Sequence, residues 1–200
     1  RVLFRSASLW YVKASAIASG YSANVNANVG PVKVDFTHSA MGYDAEALGG
    51  AVKDNDASLT KLIVSAKAGP VNVVAGYGMT NDDQDGRGVG VDISSDNDGK
   101  TDFALDIINL DDYNDASALL LGASMTFGAT TVGANYLMAT VDNGATADID
   151  GTELDLTVSY SMSKNFSITG LYATSELKDS AVGGLTSSDD RSEERRVGKE

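Results

Sequence analysis

The sequence predicts an all-β fold: an antiparallel transmembrane β-barrel, present as a partial barrel of about ten strands. Three observations carry that expectation. Apolar and polar residues alternate with period two through most of the chain, as in Tyr21, Ala23, Val25, Ala27 and Val29 against Ser22, Asn24, Asn26 and Asn28. Successive strand side chains point to opposite faces, so each such segment has one apolar and one polar face. The segments run about 9–11 residues, the length a tilted strand needs to cross a bilayer and longer than most strands of globular sheets. Tight turns alternate with long polar loops, as in barrels with short periplasmic turns and longer external loops.

The elements follow in order. The stretch Leu9 to Ser19 reads either as a strand joined to the next at Ser19-Gly20 or as a short helix in a loop. Val32, Val34 and Phe36 alternate with Lys33, Asp35 and Thr37, after a turn at Gly30-Pro31. Leu62, Val64, Ala66 and Ala68 alternate with Lys61, Ile63, Ser65 and Lys67. After Gly69-Pro70, Val71, Val73, Ala75, Tyr77 and Met79 face away from Asn72, Val74, Gly76 and Gly78. Leu119 to Phe127 and Val132 to Met138 form the next hairpin about 128–130, and Leu154 to Met162 with Phe166 to Tyr172 form the one about 163–165. Long loops are expected at about 41–57, 81–116, 141–152 and from 176 onward. Leu105 to Leu110 is apolar, but one extra strand there would break the up-and-down parity, so it reads as part of a loop packed on the barrel wall. Phe127, Tyr160 and Phe166 lie beside tight turns, while Trp10, Tyr77 and Tyr136 lie on apolar faces. Rings at such places suit the aromatic girdles of membrane barrels. Core packing in a soluble β-sandwich is the competing reading, although sandwiches show shorter strands and more frequent turns.

The two ends differ from the middle. Residues 1–6 and 191–200 resemble translated sequencing-adapter DNA and are expected to be non-native, leaving 7–190 as the barrel fragment. The chain has 15 basic and 28 acidic residues; the end strings hold 6 and 3 of them, so the body keeps 9 and 25, a net charge of −16. That balance argues against nucleic acid, which needs a basic face. The body's acids are 22 Asp and only 3 Glu. Asp favours turns and loops, so the charge is expected there. Cysteine is absent, which excludes thiolate metal sites and thiol catalysis. No apolar run approaches the roughly 20 residues of a spanning helix. A membrane protein with this sequence would therefore have to be a closed barrel.

The polar faces give the candidate pore-lining residues: Asn24, Asn26, Asn28, Lys33, Asp35, Lys67, Asn72, Asn135, Glu153, Asp155 and Thr157. The 36-residue loop 81–116 holds eleven Asp. A loop of that length is uncommon unless functional or disordered. Folded inward, its Asp102, Asp106, Asp111, Asp112 and Asp115 would form an acidic constriction, which favours cations. Left outside, they would only make the surface acidic. Asn81, Asp83, Asp85 and Asp92, with Gly86, match the spacing of an Asp-rich calcium loop, so Ca²⁺ is a candidate ligand, although an ordinary polar turn also explains them and no flanking helices are evident. No cofactor is otherwise required. The single histidine, His38, has no nucleophile pattern nearby, and Glu153 with Asp155 reads as wall lining before it reads as a hydrolase pair. Gly86-Arg87-Gly88-Val89-Gly90 lacks the helix that a phosphate loop needs. No enzyme is expected.

The hairpins Val29 to Phe36 and Ala68 to Tyr77, the stretch Leu110 to Phe127 and the run Val158 to Tyr172 resemble bacterial outer-membrane porins. They are most similar to the major outer-membrane porin family of Campylobacter-like bacteria. The resemblance spans nearly all of 7–190. It implies a homotrimer of barrels with 16–18 strands, the size that leaves an aqueous channel. The function it implies is passive diffusion of small hydrophilic solutes and ions across the outer membrane, with membrane lipid around the barrel; the expected preference for cations rests on the acidic residues and the net charge. A secreted or surface-exposed calcium-binding β-rich adhesin is one alternative, but the short glycine-rich repeat of a calcium-binding β-solenoid is not found. A substrate-specific outer-membrane transporter is another.

Overall fold

The computed structural model describes residues 2–14, 18–43, 55–81, 115–142, 148–179 and 185–198. They form ten strands: β1 (Val2–Ala14), β2 (Ala18–Val29), β3 (Val32–Tyr43), β4 (Asn55–Ala68), β5 (Val71–Asn81), β6 (Ala116–Phe127), β7 (Thr130–Val141), β8 (Ile149–Ser163), β9 (Phe166–Asp179) and β10 (Leu185–Gly198). Each strand pairs antiparallel with its sequence neighbours in one sheet ordered β1 to β10. Among the described residues β1 and β10 are edges, so the barrel is partial.

The turns form where the backbone demands them. Gly30, Gly69 and Gly128 open three tight hairpins with φ of 62°, 64° and 61°, a region open to glycine at little cost. These turns and the one at Lys164-Asn165 share one end of the sheet. The strand ends on either side of 15–17, 44–54, 82–114, 143–147 and 180–184 share the other end.

The strands run 11 to 15 residues, longer than the alternation alone predicts. Met41 still pairs with Ala57, and Val141 with Ile149, so those loops are shorter than expected at 41–57 and 141–152. The strand after the turn at 163–165 likewise runs past 176 to Asp179. Backbone hydrogen bonding continues past the point where one face stops being apolar, because the ladder needs only backbone groups. The first segment is a strand, not a helix, and the link to β2 falls at 15–17 instead of Ser19-Gly20. Both end strings enter the ladder, residues 2–6 in β1 and 191–198 in β10. Leu105 to Leu110 lies outside the described residues.

Register carries one face through the whole sheet. Asn26 pairs with Asp35, Asp35 with Ile63, Ile63 with Gly76, Gly76 with Leu120, Leu120 with Leu137 and Leu137 with Glu153. This face is the crowded one. It holds the buried polar residues and also the buried apolar cluster at the loop end, including Leu59, Ala118, Leu137 and Val141. The opposite face exposes Tyr21, Leu62, Tyr77, Leu121, Leu156 and Tyr172, each by about two-fifths or more. A continuous exposed apolar surface of this extent needs a non-aqueous neighbour. The exposed face is therefore the outer, lipid-facing one, and the crowded face is the inner wall.

One aromatic departs from expectation. Trp10 pairs with Ser22, so it belongs to the inner-wall register, not to an apolar outer face with Tyr77 and Tyr136. Its strand neighbour Tyr11 pairs with Tyr21 on the outer face. Period two within an eleven-residue stretch rich in Leu, Trp, Tyr and Val does not say which parity faces out; the ladder with β2 does. Phe127 and Tyr160 flank the tight-turn end of the outer face, both exposed.

Candidate functional site

The inner wall is the candidate site. All eleven polar positions singled out from the sequence fall on its register: Asn24, Asn26 and Asn28 on β2, Lys33 and Asp35 on β3, Lys67 on β4, Asn72 on β5, Asn135 on β7, and Glu153, Asp155 and Thr157 on β8.

Asn24 is the hub of a hydrogen-bonded network between β2 and β3. Its Nδ2 donates to Asp35 Oδ1 at 2.9 Å, Thr37 Oγ1 at 2.9 Å and the Phe36 carbonyl at 3.3 Å. Asn26 Nδ2 donates in turn to Asn24 Oδ1 at 2.6 Å. With the Asn28 amide turned so that its oxygen faces Arg5, that oxygen accepts from Arg5 Nε at 2.9 Å and Nη2 at 3.2 Å. Arg5 can reach because a bulge between Phe4 and Ser6 inserts it as an extra residue. Ser39 donates to Ser22 at 2.8 Å one row nearer the loop end. Towards the turns, Thr126 meets Thr131 at 2.9 Å and Thr169 donates to Ser159 at 3.0 Å.

Glycine shapes the middle of the wall. A Cβ on Gly122 would collide with Asn135 Oδ1 and lie 2.6 Å from Val74 Cγ1. One on Gly133 would lie 2.7 Å from Thr157 Oγ1. The polar groups of β7 and β8 thus lean over glycines of the preceding strands.

Charge is divided along the wall. Lys33, Lys61 and Lys67 stand on β3 and β4, Lys61 buried and the other two exposed. Glu153 and Asp155 stand on β8, both buried. Four strand spacings separate β4 from β8, about 19 Å along the sheet. Asp35 lies on the lysine side, within the Asn24 network.

Several inner-wall residues were not singled out from sequence: Ser22, Thr37, Ser39, Thr80 and Ser175, all buried, and Arg5. Parity could have found most of them, since Ser22 continues the row of Asn24, and Thr37 and Ser39 continue that of Lys33 and Asp35. On β3 the signal fades because the opposite face turns polar at His38. No spacing rule reveals a bulge, so Arg5 was not legible.

Of the expected constriction residues, Asp102, Asp106, Asp111 and Asp112 lie outside the described residues. Asp115 stands just before β6 with φ of 44°, and its carbonyl accepts from the Asp142 amide at 3.0 Å, tying the residue that follows one connection to the residue that precedes the next. Of the calcium-spacing residues, Asn81 ends β5 on the outer-face register, while Asp83, Asp85 and Asp92 lie outside the described residues. Among the described residues no three acidic or histidine side chains gather as a metal site.

The fold has close structural counterparts. A BenF-like porin from Pseudomonas fluorescens matches with a TM-score of 0.69 at 16% identity, over 94% of this chain and 50% of that one. OccK3 (OpdO) of Pseudomonas aeruginosa matches at 0.67 and 18%, over 95% and 52%. OccAB1 of Acinetobacter baumannii matches at 0.68 and 14%, over 96% and 54%. The chain therefore spans about half the length of the solved porins it resembles. A search of curated protein sequences finds no match. At the level of sequence, the profile of the Gram-negative porins aligns with residues 6–180, from the middle of β1 to the end of β9, and the chain belongs to that outer-membrane family.

Proposed function

We propose that this chain forms about half the wall of a passive channel that lets small hydrophilic solutes and ions cross the outer membrane. One observation carries the reading: the strands from β2 to β9 set their polar side chains on the crowded face, beside the buried apolar cluster at its loop end, and expose Leu, Tyr, Met, Val or Phe on the other. The eleven inner-wall residues then line the pore. Asn and Thr exchange hydrogen bonds with water and passing solutes, and the charged residues set which ions pass. No covalent chemistry is involved.

The channel prefers cations in this reading. Support comes from the body's excess of acids and from Glu153 and Asp155 on the wall, with Asp102, Asp106, Asp111, Asp112 and Asp115 as the acidic constriction. Lys33, Lys61 and Lys67 act against it. The complete barrel is a homotrimer of the Campylobacter-type major porin class, on the resemblance of its hairpins. Ca²⁺ at Asn81, Asp83, Asp85 and Asp92 is an optional ligand, and its removal leaving stability and conductance untouched would dispose of it. Residues 1–6 and 191–200 are non-native ends. For the second, support is its abrupt change of composition, with four basic and three acidic residues in ten.

The test is single-channel recording of the complete protein in a planar bilayer under a salt gradient. Stepwise openings with a cation-selective reversal potential are expected. Anion selectivity would keep the channel and assign control to the lysines; a folded protein that never inserts would overturn the reading. A substrate-specific transporter is the second reading, favoured by the separation of lysines from carboxylates along the wall, which could align a dipolar solute. Saturable, solute-selective flux would identify it.

A further inference from the structure

The outer apolar belt has a notch. On β2, β5, β6 and β8 five successive outward positions are apolar, for example Val71, Val73, Ala75, Tyr77 and Met79. On β3 the run stops after Val32, Val34 and Phe36, and His38 follows. On β4 it stops at Leu62, and Thr60 and Ser58 follow. His38 Nδ1 and Thr60 Oγ1 are hydrogen-bonded at 2.8 Å, and the Tyr21 ring rests against the imidazole with centroids 5.8 Å apart. Towards the loop end, the outward positions Ala40, Gly42 and Ser58 are too small to fill the surface. They floor a groove of about 500 Å³. Tyr11 and Tyr21 form one side and Asn81 the other. Three strand spacings, about 14 Å, separate β2 from β5.

We propose that this groove holds the neutral, polyhydroxylated headgroup of an outer-leaflet amphiphile, a glycolipid, whose acyl chains run down the apolar belt below it. The inference rests on the outer face being the lipid-facing one and is independent of what passes through the channel. The groove's position gives the amphiphile: it lies at the loop end, the external side of such barrels, with the His38–Thr60 row and then Val25, Phe36 and Leu62 below it on the outer face. The lining gives the headgroup. None of the described residues that line the groove is charged, and Lys13 stands beside Ser19 at its edge. It offers hydroxyls and an amide, which both donate and accept, and two tyrosine faces on which the C–H face of a sugar ring can lie. Acyl chains alone would leave these polar groups unsatisfied at a cost of the order of 1–3 kcal/mol each.

The complete protein, purified in a polyoxyethylene detergent, would be titrated with dodecyl maltoside and the retained adducts counted by native mass spectrometry. Saturable retention of one maltoside per chain is expected. Ala40→Trp, which fills the groove, should weaken it about tenfold, equivalent to about 1.4 kcal/mol. Tyr21→Ala, which removes a side without adding bulk, should weaken it too, and both should keep wild-type conductance. Four results would overturn the proposal: equal binding of free maltose, equal binding of dodecylphosphocholine, undiminished binding in both variants, or a Ser58→Cys variant that cross-links between copies in native membranes, which would put a second copy in the groove.

Discussion

Asn24 and Asp35 meet side by side on the inner wall, Nδ2 to Oδ1 at 2.9 Å, although they lie one row apart in the ladder: Asn24 pairs with Thr37 and Asp35 with Asn26. The diagonal contact lets one amide bridge two rows and hold a carboxylate in a fixed position. Asn24→Ala removes donors from Asp35, Thr37 and the Phe36 carbonyl at once. A loss of about 1–3 kcal/mol is expected, the usual cost of leaving a buried acceptor unsatisfied. Urea unfolding in micelles, followed by the mobility difference between folded and unfolded barrel on a gel, would measure it. An unchanged midpoint would show that water replaces the amide without loss.

Gly122 is constrained by the side chains of its neighbours. Any side chain there meets Asn135 and Val74. Gly122→Leu should cost about 1–3 kcal/mol through overpacking and reduce the yield of folded barrel. Gly170, on the outer face with nothing near its missing Cβ, is the control. Gly170→Ala should assemble normally.

The two faces should answer oppositely to one substitution. Leu156 points to lipid and Asn72 to the inner wall. Leu156→Arg, and likewise Val73→Arg, should cost about 2–4 kcal/mol if near the bilayer midplane and impair membrane assembly. Asn72→Arg should assemble and shift the reversal potential towards anions. The reverse outcome would mean that inside and outside have been exchanged.

Lys33 and Lys67 are exposed cations of the inner wall on β3 and β4. Replacing both by Glu should move the reversal potential towards cations while stability changes by less than about 0.5 kcal/mol per site, since neither is buried. Ion selectivity in a bilayer and unfolding in micelles check the two halves. An unmoved potential would put the selective charges elsewhere than β3 and β4.

Much of this was legible from residue order. The alternation of Val71 to Met79 with Asn72 to Gly78 names both faces of β5 without any structure, because strand geometry has period two. The Gly30 and Gly69 turns were legible because few residues accept a positive φ. Trp10 was not. A segment with large residues at both parities carries no orientation until its neighbour is known. The ends of the strands were also hidden, since Met41–Ala57 and Val141–Ile149 pair through backbone groups that every residue has.

The sequence by itself determined the class of fold, the two faces of the strands that alternate cleanly and the end at which the tight turns lie, because these depend on local periodicity and backbone freedom. Tertiary structure alone decided which rows align. It brought Asn24 to Asp35, laid Asn135 over Gly122, set the lysines of β3 and β4 five and four strands from the acids of β8, and stood Tyr11 and Tyr21 along one side of the notch in the belt. Register is a relation between strands far apart in sequence. It follows from how whole ladders pair, and no single segment contains it.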